Sequence, residues 1–256
     1  MKRVHLILID GMRPDALLQI ENPFVQELLR TSAYTLEART VFPSVTLPCH
    51  MSLFYSVEPG RHGVTTNIFT PMARPMNGLM EQIHGNRSTA MFYNWNELRD
   101  IYRPGNIDYS FFVSQYEYGD EQAALEVCEA AERVLRNKTP DFCFTYIGWV
   151  DQQGHKTGWM SPEYLHAVNG SIGLARRLMA CTGDRYTTIL TADHGGHERT
   201  HGTLMEEDMT IPVFVRGEGI SPGRIEEPVS ILDIAPTVAK LLDCAPSKEW
   251  EGRSLL

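Results

Sequence analysis

The sequence predicts an α/β fold in which a central, mostly parallel β-sheet is sandwiched by helices in a single domain. Three observations predict it. Short apolar runs alternate along the chain with segments of helical period, the signature of a parallel sheet covered by helices. The first run, Val4 to Ile9, is continuously apolar, as in a strand buried on both faces. The chain has 256 residues, 43% of them hydrophobic and 21% charged, enough for one large core and without the composition of a disordered segment.

Taken in order, Val4 to Ile9 ends at Asp10-Gly11 and forms the first strand. Asn22 caps a helix that starts at Pro23 and runs to about Arg30, with the proline where a missing N–H costs nothing. Tyr34 to Val41 reads as a strand, and Thr46 to Val57 as a helix with Pro48 in its first turn. Met76 to His84 is helical and Thr89 to Tyr93 a strand. Asp120 to Asn137 is a long helix with Ala124, Val127, Cys128, Ala131, Val134 and Leu135 along one face. Asp141 to Ile147 and Tyr186 to Thr191 are strands separated by a helix over Pro162 to Met179. Ile211 to Val215 is a further strand and Ile234 to Leu242 a late helix. The stretch from Pro71 to Phe112 is rich in aromatic and turn residues and is expected to form a small cap over the site. There is no repeat and no linker.

A formal net charge of −9 argues against holding a nucleic-acid polymer by general attraction. The apolar run behind Lys2 and Arg3 is too short for an export signal and ends in Asp10, and no stretch approaches the roughly 20 apolar residues that span a bilayer. Five scattered cysteines without a C-x-x-C pair read as reduced thiols, so the expected location is cytoplasmic.

The acidic residues and histidines fall at strand ends. Ligands of open parallel sheets sit at the carboxyl ends of the strands. Asp10 closes the first strand; Asp151 and His155 follow the strand ending at Ile147; Asp193 and His194 follow the strand ending at Thr191, with His197 and His201 on the same loop. Two metal sets can be assembled: Asp151, His155 and His201, and Asp10, Asp193 and His194 with the Thr46 hydroxyl. Carboxylate and imidazole ligands favour zinc, with manganese as the alternative. Two dications against three aspartates leave the pocket attractive to an anion. Separately these signals are modest: Asp-Gly makes turns, threonine caps helices, and Asp151-x-x-x-His155 fits a surface loop. The cluster from Asp193 to His201 is the strongest, because three histidines and an aspartate in nine residues are poorly explained by packing.

Asp10-Gly11 after a first strand, Phe42-Pro43-Ser44-Val45-Thr46-Leu47-Pro48-Cys49-His50, Asp151-Gln152-Gln153-Gly154-His155, and Asp193-His194-Gly195 followed by Thr200-His201-Gly202 resemble the alkaline phosphatase superfamily. Within it the chain is most similar to the type I phosphodiesterase and nucleotide pyrophosphatase family, with the motifs in that family's order. The resemblance implies a phosphate-ester hydrolase with Thr46 as nucleophile, a phosphothreonine intermediate, and the two metal sets above. It also implies that Asn67, in the segment Glu58 to Asn67, binds a phosphate oxygen together with the helix start at Thr46. Cys49 stands where the family usually has asparagine, and the sulfatase motif C-x-P-S-R is absent. The expected partner is a small phosphorylated molecule. Phosphodiesters and nucleotide pyrophosphates rank first, then phosphomonoesters or phosphonates. A phosphomutase, which would need an extra domain, and a noncatalytic metal- and phosphate-binding protein are the rivals. His5 is expected to be structural, His50 to pack beneath the site, and His197 to orient a ligand or touch substrate.

Overall fold

The computed structural model describes residues 2–256. One eight-stranded sheet runs through it: β1 (Val4–Ile9), β2 (Ala33–Arg39), β3 (Thr89–Tyr93), β4 (Tyr109–Phe112), β5 (Phe142–Ile147), β6 (Thr187–Thr191), β7 (Thr210–Arg216) and β8 (Gly223–Arg224). Their spatial order is β4-β3-β5-β1-β6-β7-β2-β8. The strands β4, β3, β5, β1 and β6 are mutually parallel, and β7 runs antiparallel to both β6 and β2. The expectation of a mostly parallel sheet in one domain is met.

The helices are α1 (Pro14–Gln19), α2 (Pro23–Thr31), α3 (Thr46–Tyr55), α4 (Pro59–His62), α5 (Leu79–Ile83), α6 (Gln115–Tyr118), α7 (Asp120–Asn137), α8 (Trp149–Thr157), α9 (Pro162–Thr182), α10 (Glu206–Met209) and α11 (Ile234–Leu241). One layer packs α1, α2, α7 and α8 around α9; the other packs α4, α5 and α11 around α3. Local chemistry sets the starts of the long elements. Asn22 Oδ1 accepts from Phe24 N at 2.9 Å ahead of α2, and Ser161 Oγ accepts from Tyr164 N at 3.2 Å ahead of α9, each with proline at the first helical position.

Three corrections concern positions near the site. The segment Pro71–Phe112 is not a cap as a whole: Thr89–Tyr93 pairs with β5, and Tyr109–Phe112 pairs with Thr89–Tyr93, so both are strands of the central sheet. Only 71–88 and 94–108 lie outside it. Asp151 and His155 sit on α8 rather than on a loop, four residues apart and so on one helix face. Thr46 does not cap α3; Val45 holds the cap position, and Thr46 is the first helical residue.

Register determines what meets at the carboxyl edge. Ile9 pairs with Ile147 and Leu8 with Thr191, so Asp10, Gly148 and Asp193 emerge at one level from three neighbouring central strands. Gly11 then turns with φ +67°, and a Cβ there would sit 3.0 Å from the Asp151 backbone, so glycine is what lets α8 approach the end of β1.

Candidate metal and phosphoryl site

The six side chains expected to bind metal converge. Ligand atoms of Asp151, His155 and His201 lie within 4.8 Å of one another, as do those of Asp10, Asp151 and His194. His194 Nε2 is 3.3 Å from Asp10 Oδ1 and 3.4 Å from Asp193 Oδ2. Asp151 Oδ1 is 3.5 Å from Nε2 of both His155 and His201. Asp151 therefore faces both sets, a sharing that spacing alone did not reveal. The rings of His194 and His201 stack at 3.9 Å and 15°.

The tautomers of the three imidazoles follow from their other nitrogens. His194 Nδ1 donates to Gly195 O at 2.8 Å, His201 Nδ1 to Ser44 O at 2.8 Å, and His155 Nδ1 to Arg199 O at 3.0 Å. A carbonyl oxygen only accepts, so each Nδ1 carries a proton, and the neutral ring then presents its Nε2 lone pair toward the carboxylates. This is the arrangement by which backbone carbonyls orient imidazole ligands of a metal.

Opposite those lone pairs, Asp10 Oδ1, Asp151 Oδ1 and Asp193 Oδ2 are buried without a hydrogen-bond partner. Burial, then the neighbouring Asp193 and Asp151, pushes the Asp10 carboxyl far above its usual range. Burial also raises Asp151, and raises Asp193 to about 7, while burial holds His194 neutral. Three carboxylates packed together away from water repel one another, and neutral imidazole nitrogens donate nothing to them. Hard and borderline cations satisfy both donor types at once, so the residues fit a metal centre.

Thr46 meets this centre from the other side. Its hydroxyl, not engaged in capping α3, donates to His194 Nε2 at 3.2 Å. Asn67 Oδ1 accepts from Leu47 N at 2.9 Å, so one of the helix-start N–H groups expected to meet phosphate is taken by Asn67 itself. His50 lies fully buried beneath, its Nδ1 donating to Thr46 O at 2.8 Å.

Other positions resolve as structure. Cys49 is buried, its sulfur accepting from Thr40 Oγ1 at 3.2 Å, and so is not part of a pocket wall. His197 Nδ1 bonds Asp208 Oδ1 at 2.7 Å, and Asp208 Oδ2 accepts from Thr203 N at 2.8 Å, which braces the loop carrying His201. Arg61 pairs with Glu249 at 2.7 Å. Trp95, Tyr93 and Phe92 are buried in the core. Several contributors escaped the sequence reading. The Tyr146 hydroxyl donates to Asp10 Oδ2, and Trp159 Nε1 and Tyr164 Oη donate to Gly11 O at 3.0 and 2.8 Å. The alternation Phe142, Phe144, Tyr146 up to a strand end was the available signal for the first.

A family model described as type I phosphodiesterase / nucleotide pyrophosphatase matches residues 4–82 and 76–207. The 2,3-bisphosphoglycerate-independent phosphoglycerate mutase of Campylobacter jejuni is 28% identical over 142 residues, which is 54% of this chain and 28% of the mutase. That of Listeria monocytogenes is 28% identical over 152 residues, again 28% of the mutase. The match thus spans just over a quarter of the length of these relatives. Among solved structures, an inactive variant of murine ectonucleotide pyrophosphatase / phosphodiesterase 5 in complex with AMP has a TM-score of 0.79 at 13% identity, covering 96% of both chains. The phosphonate monoester hydrolase from Silicibacter pomeroyi has a TM-score of 0.74 at 16% identity, covering 100% of this chain and 76% of that one. These likenesses show that the chain shares the fold of those two hydrolases.

Proposed function

The chain belongs to the type I phosphodiesterase / nucleotide pyrophosphatase family, and from that premise we propose that it hydrolyses small phosphate esters with Thr46 as nucleophile and two divalent cations. Phosphodiesters and nucleotide-type pyrophosphates are the first substrates to consider, and zinc, then manganese, the first cations. One observation carries the reading: three backbone-anchored imidazoles and three carboxylates with partnerless oxygens converge beside the Thr46 hydroxyl.

Asp151, His155 and His201 would hold one cation; Asp10, Asp193 and His194, with Thr46 Oγ1, would hold the other. Bound there, two cations supply positive charge that lowers the pKa of a hydroxyl and offsets charge on phosphoryl oxygens. The chain's own groups do the rest. Thr46, fixed at the first turn of α3, aims its oxygen at phosphorus, and its proton passes to solvent water as the Oγ1–P bond forms. The ester oxygen departs with the electrons of the broken P–O bond and leaves as an alcohol once protonated. Asn67 donates its amide N–H to a nonbridging oxygen, its other end held by Leu47 N. Attack of water on the phosphothreonine then breaks the Oγ1–P bond, releasing phosphate or a phosphomonoester and restoring the hydroxyl.

The likeness to phosphoglycerate mutases favours a second reading, in which the phosphoryl group passes from Thr46 to an organic hydroxyl instead of to water. Hydrolysis rates for an aryl phosphomonoester and the matching diester, before and after chelation and with zinc or manganese restored, test the proposal. Both activities are expected to vanish on chelation and return with the cation, the diester being cleaved faster. Phosphoryl transfer to an alcohol without release to water supports the mutase reading. Failure to turn over any ester with cations bound overturns both and leaves a binding protein.

A further inference from the structure

On β5, Phe142, Phe144 and Tyr146 alternate onto the face that meets α3, where Phe144 packs edge-on against Phe54 at 5.0 Å and Tyr146 against His50 at 5.4 Å. Only the last of the three, at the carboxyl edge, carries a hydroxyl. That hydroxyl donates to Asp10 Oδ2, while Asp10 Oδ1 has no hydrogen-bond partner and lies 3.3 Å from His194 Nε2. The two oxygens of one carboxylate are thus assigned different tasks. An aspartate carboxylate otherwise rotates broadly about its last torsion, so fixing one oxygen fixes the direction of the other.

Tyr146 is itself held rigid. It is 1% exposed, its ring rests on His50, and His50 is tied through Nδ1 to the backbone of Thr46. A Cβ at position 148 would lie 3.1 Å from the Tyr146 hydroxyl and 2.6 Å from Gln115 Oε1, so Gly148 leaves the room the phenol occupies. Asp10, Tyr146, His50 and the Thr46 carbonyl form a continuous floor beneath the centre. Nothing in the packing alone requires a phenol, since phenylalanine would fill the same volume as Phe144 does one step away.

We propose that Tyr146 is a positioning residue that fixes the orientation of the Asp10 carboxylate and thereby sets cation affinity in the Asp10–Asp193–His194 set, leaving the Asp151–His155–His201 set untouched. This rests on the two-cation reading above. The role is asymmetric because Tyr146 bonds one carboxylate of one set, whereas a loss of general packing would loosen both.

Tyr146→Phe removes one oxygen and keeps the ring. Zinc titration of the cation-free protein by calorimetry against a competing chelator is expected to show two sites in wild type. In Tyr146→Phe one of them should be weakened about 10–100-fold, the range for partners that orient a metal ligand, and the other should change by less than about twofold. In an Asp10→Ala background, which removes the acceptor, adding Tyr146→Phe should cause no further loss, whereas independent effects would multiply. This second comparison keeps the test decisive if the single variant is marginally stable. Unchanged affinity at both sites, or equal weakening of both, overturns the role of Tyr146 while leaving the site's reading intact. A wild type that binds fewer than two cations overturns both.

Discussion

The strand β1 carries a buried polar group at each of its ends, and the two ends behave differently. His5 is fully buried, its Nε2 meeting the Thr145 hydroxyl at 2.9 Å and its Nδ1 without a partner. Burial alone pushes it down to about 3, so it sits in the sheet as a neutral ring. At the other end Asp10 is buried among Asp151, Asp193 and the Nε2 of His194. A single buried imidazole escapes the cost of charge burial by shedding its proton. Three carboxyls gathered in one place escape it only by keeping protons or by sharing a cation, and the flanking histidines, tied to backbone carbonyls, are the groups that suit the cation. A buried polar residue marks a site when its neighbours share its problem, not when it is simply buried.

Changes at the carboxyl edge should therefore be large, and those at the opposite edge small. Thr46→Ala should lower diester turnover at least about 1,000-fold, as removing a nucleophile does. Metal analysis of the variant should still find the cation of the Asp151 set. Asp151→Asn should weaken cation binding by more than about 100-fold, beyond the loss typical of an outer partner, and equilibrium titration should find both sets affected because Asp151 faces both.

The pH dependence of the cation-free protein sharpens the same contrast. The raised Asp10 and Asp193 carboxyls keep protons that the unfolded chain loses above its ordinary value of 3.8, so their contribution to stability declines as pH rises through the folded values. Buried His5 and His50, held at about 3 and about 4, act in the opposite direction, an effect that fades only as pH rises past 6.5, where the histidines of the unfolded chain are half protonated. Above about pH 7.5 the histidine contribution has faded and the carboxyl trend dominates. The thermal midpoint of chelated protein should fall across that range, and excess zinc should abolish the fall by replacing the protons. A midpoint that is flat or rises without metal would contradict the assignment.

The brace between His197 and Asp208 should matter less: His197→Ala is expected to reduce diester turnover by about tenfold, read in steady-state kinetics, by loosening the loop that carries His201. His5→Leu should leave turnover and metal content within about twofold of wild type. A large loss there would erase the distinction between the two ends of β1.

Much of the carboxyl edge was legible because its chemistry lies where strands stop. Asp10, Asp151 and Asp193 each follow an apolar run, and parallel register brings such positions together without knowledge of the side chains between. Contacts between residues far apart were not legible. Tyr146 looks like the third aromatic of a core strand until Asp10 is seen above it, and Asp208 is one acid in the run Glu206-Glu207-Asp208 until its oxygens are seen holding the loop. The sharing of Asp151 between the two sets depends on α8, whose Trp149 to Thr157 segment, with glycine inside it, lacks a clear apolar period. The extent of the cap was misjudged because β4 has only four residues, too few to register as a strand among turn residues.

The most direct test is a count of tightly bound zinc per chain after equilibrium dialysis, made on wild type and on Asp10→Asn and His201→Ala. Two equivalents are expected in wild type and the loss of one, from a different set, in each variant. Zinc uptake that is absent in wild type, or that neither substitution changes, would contradict it.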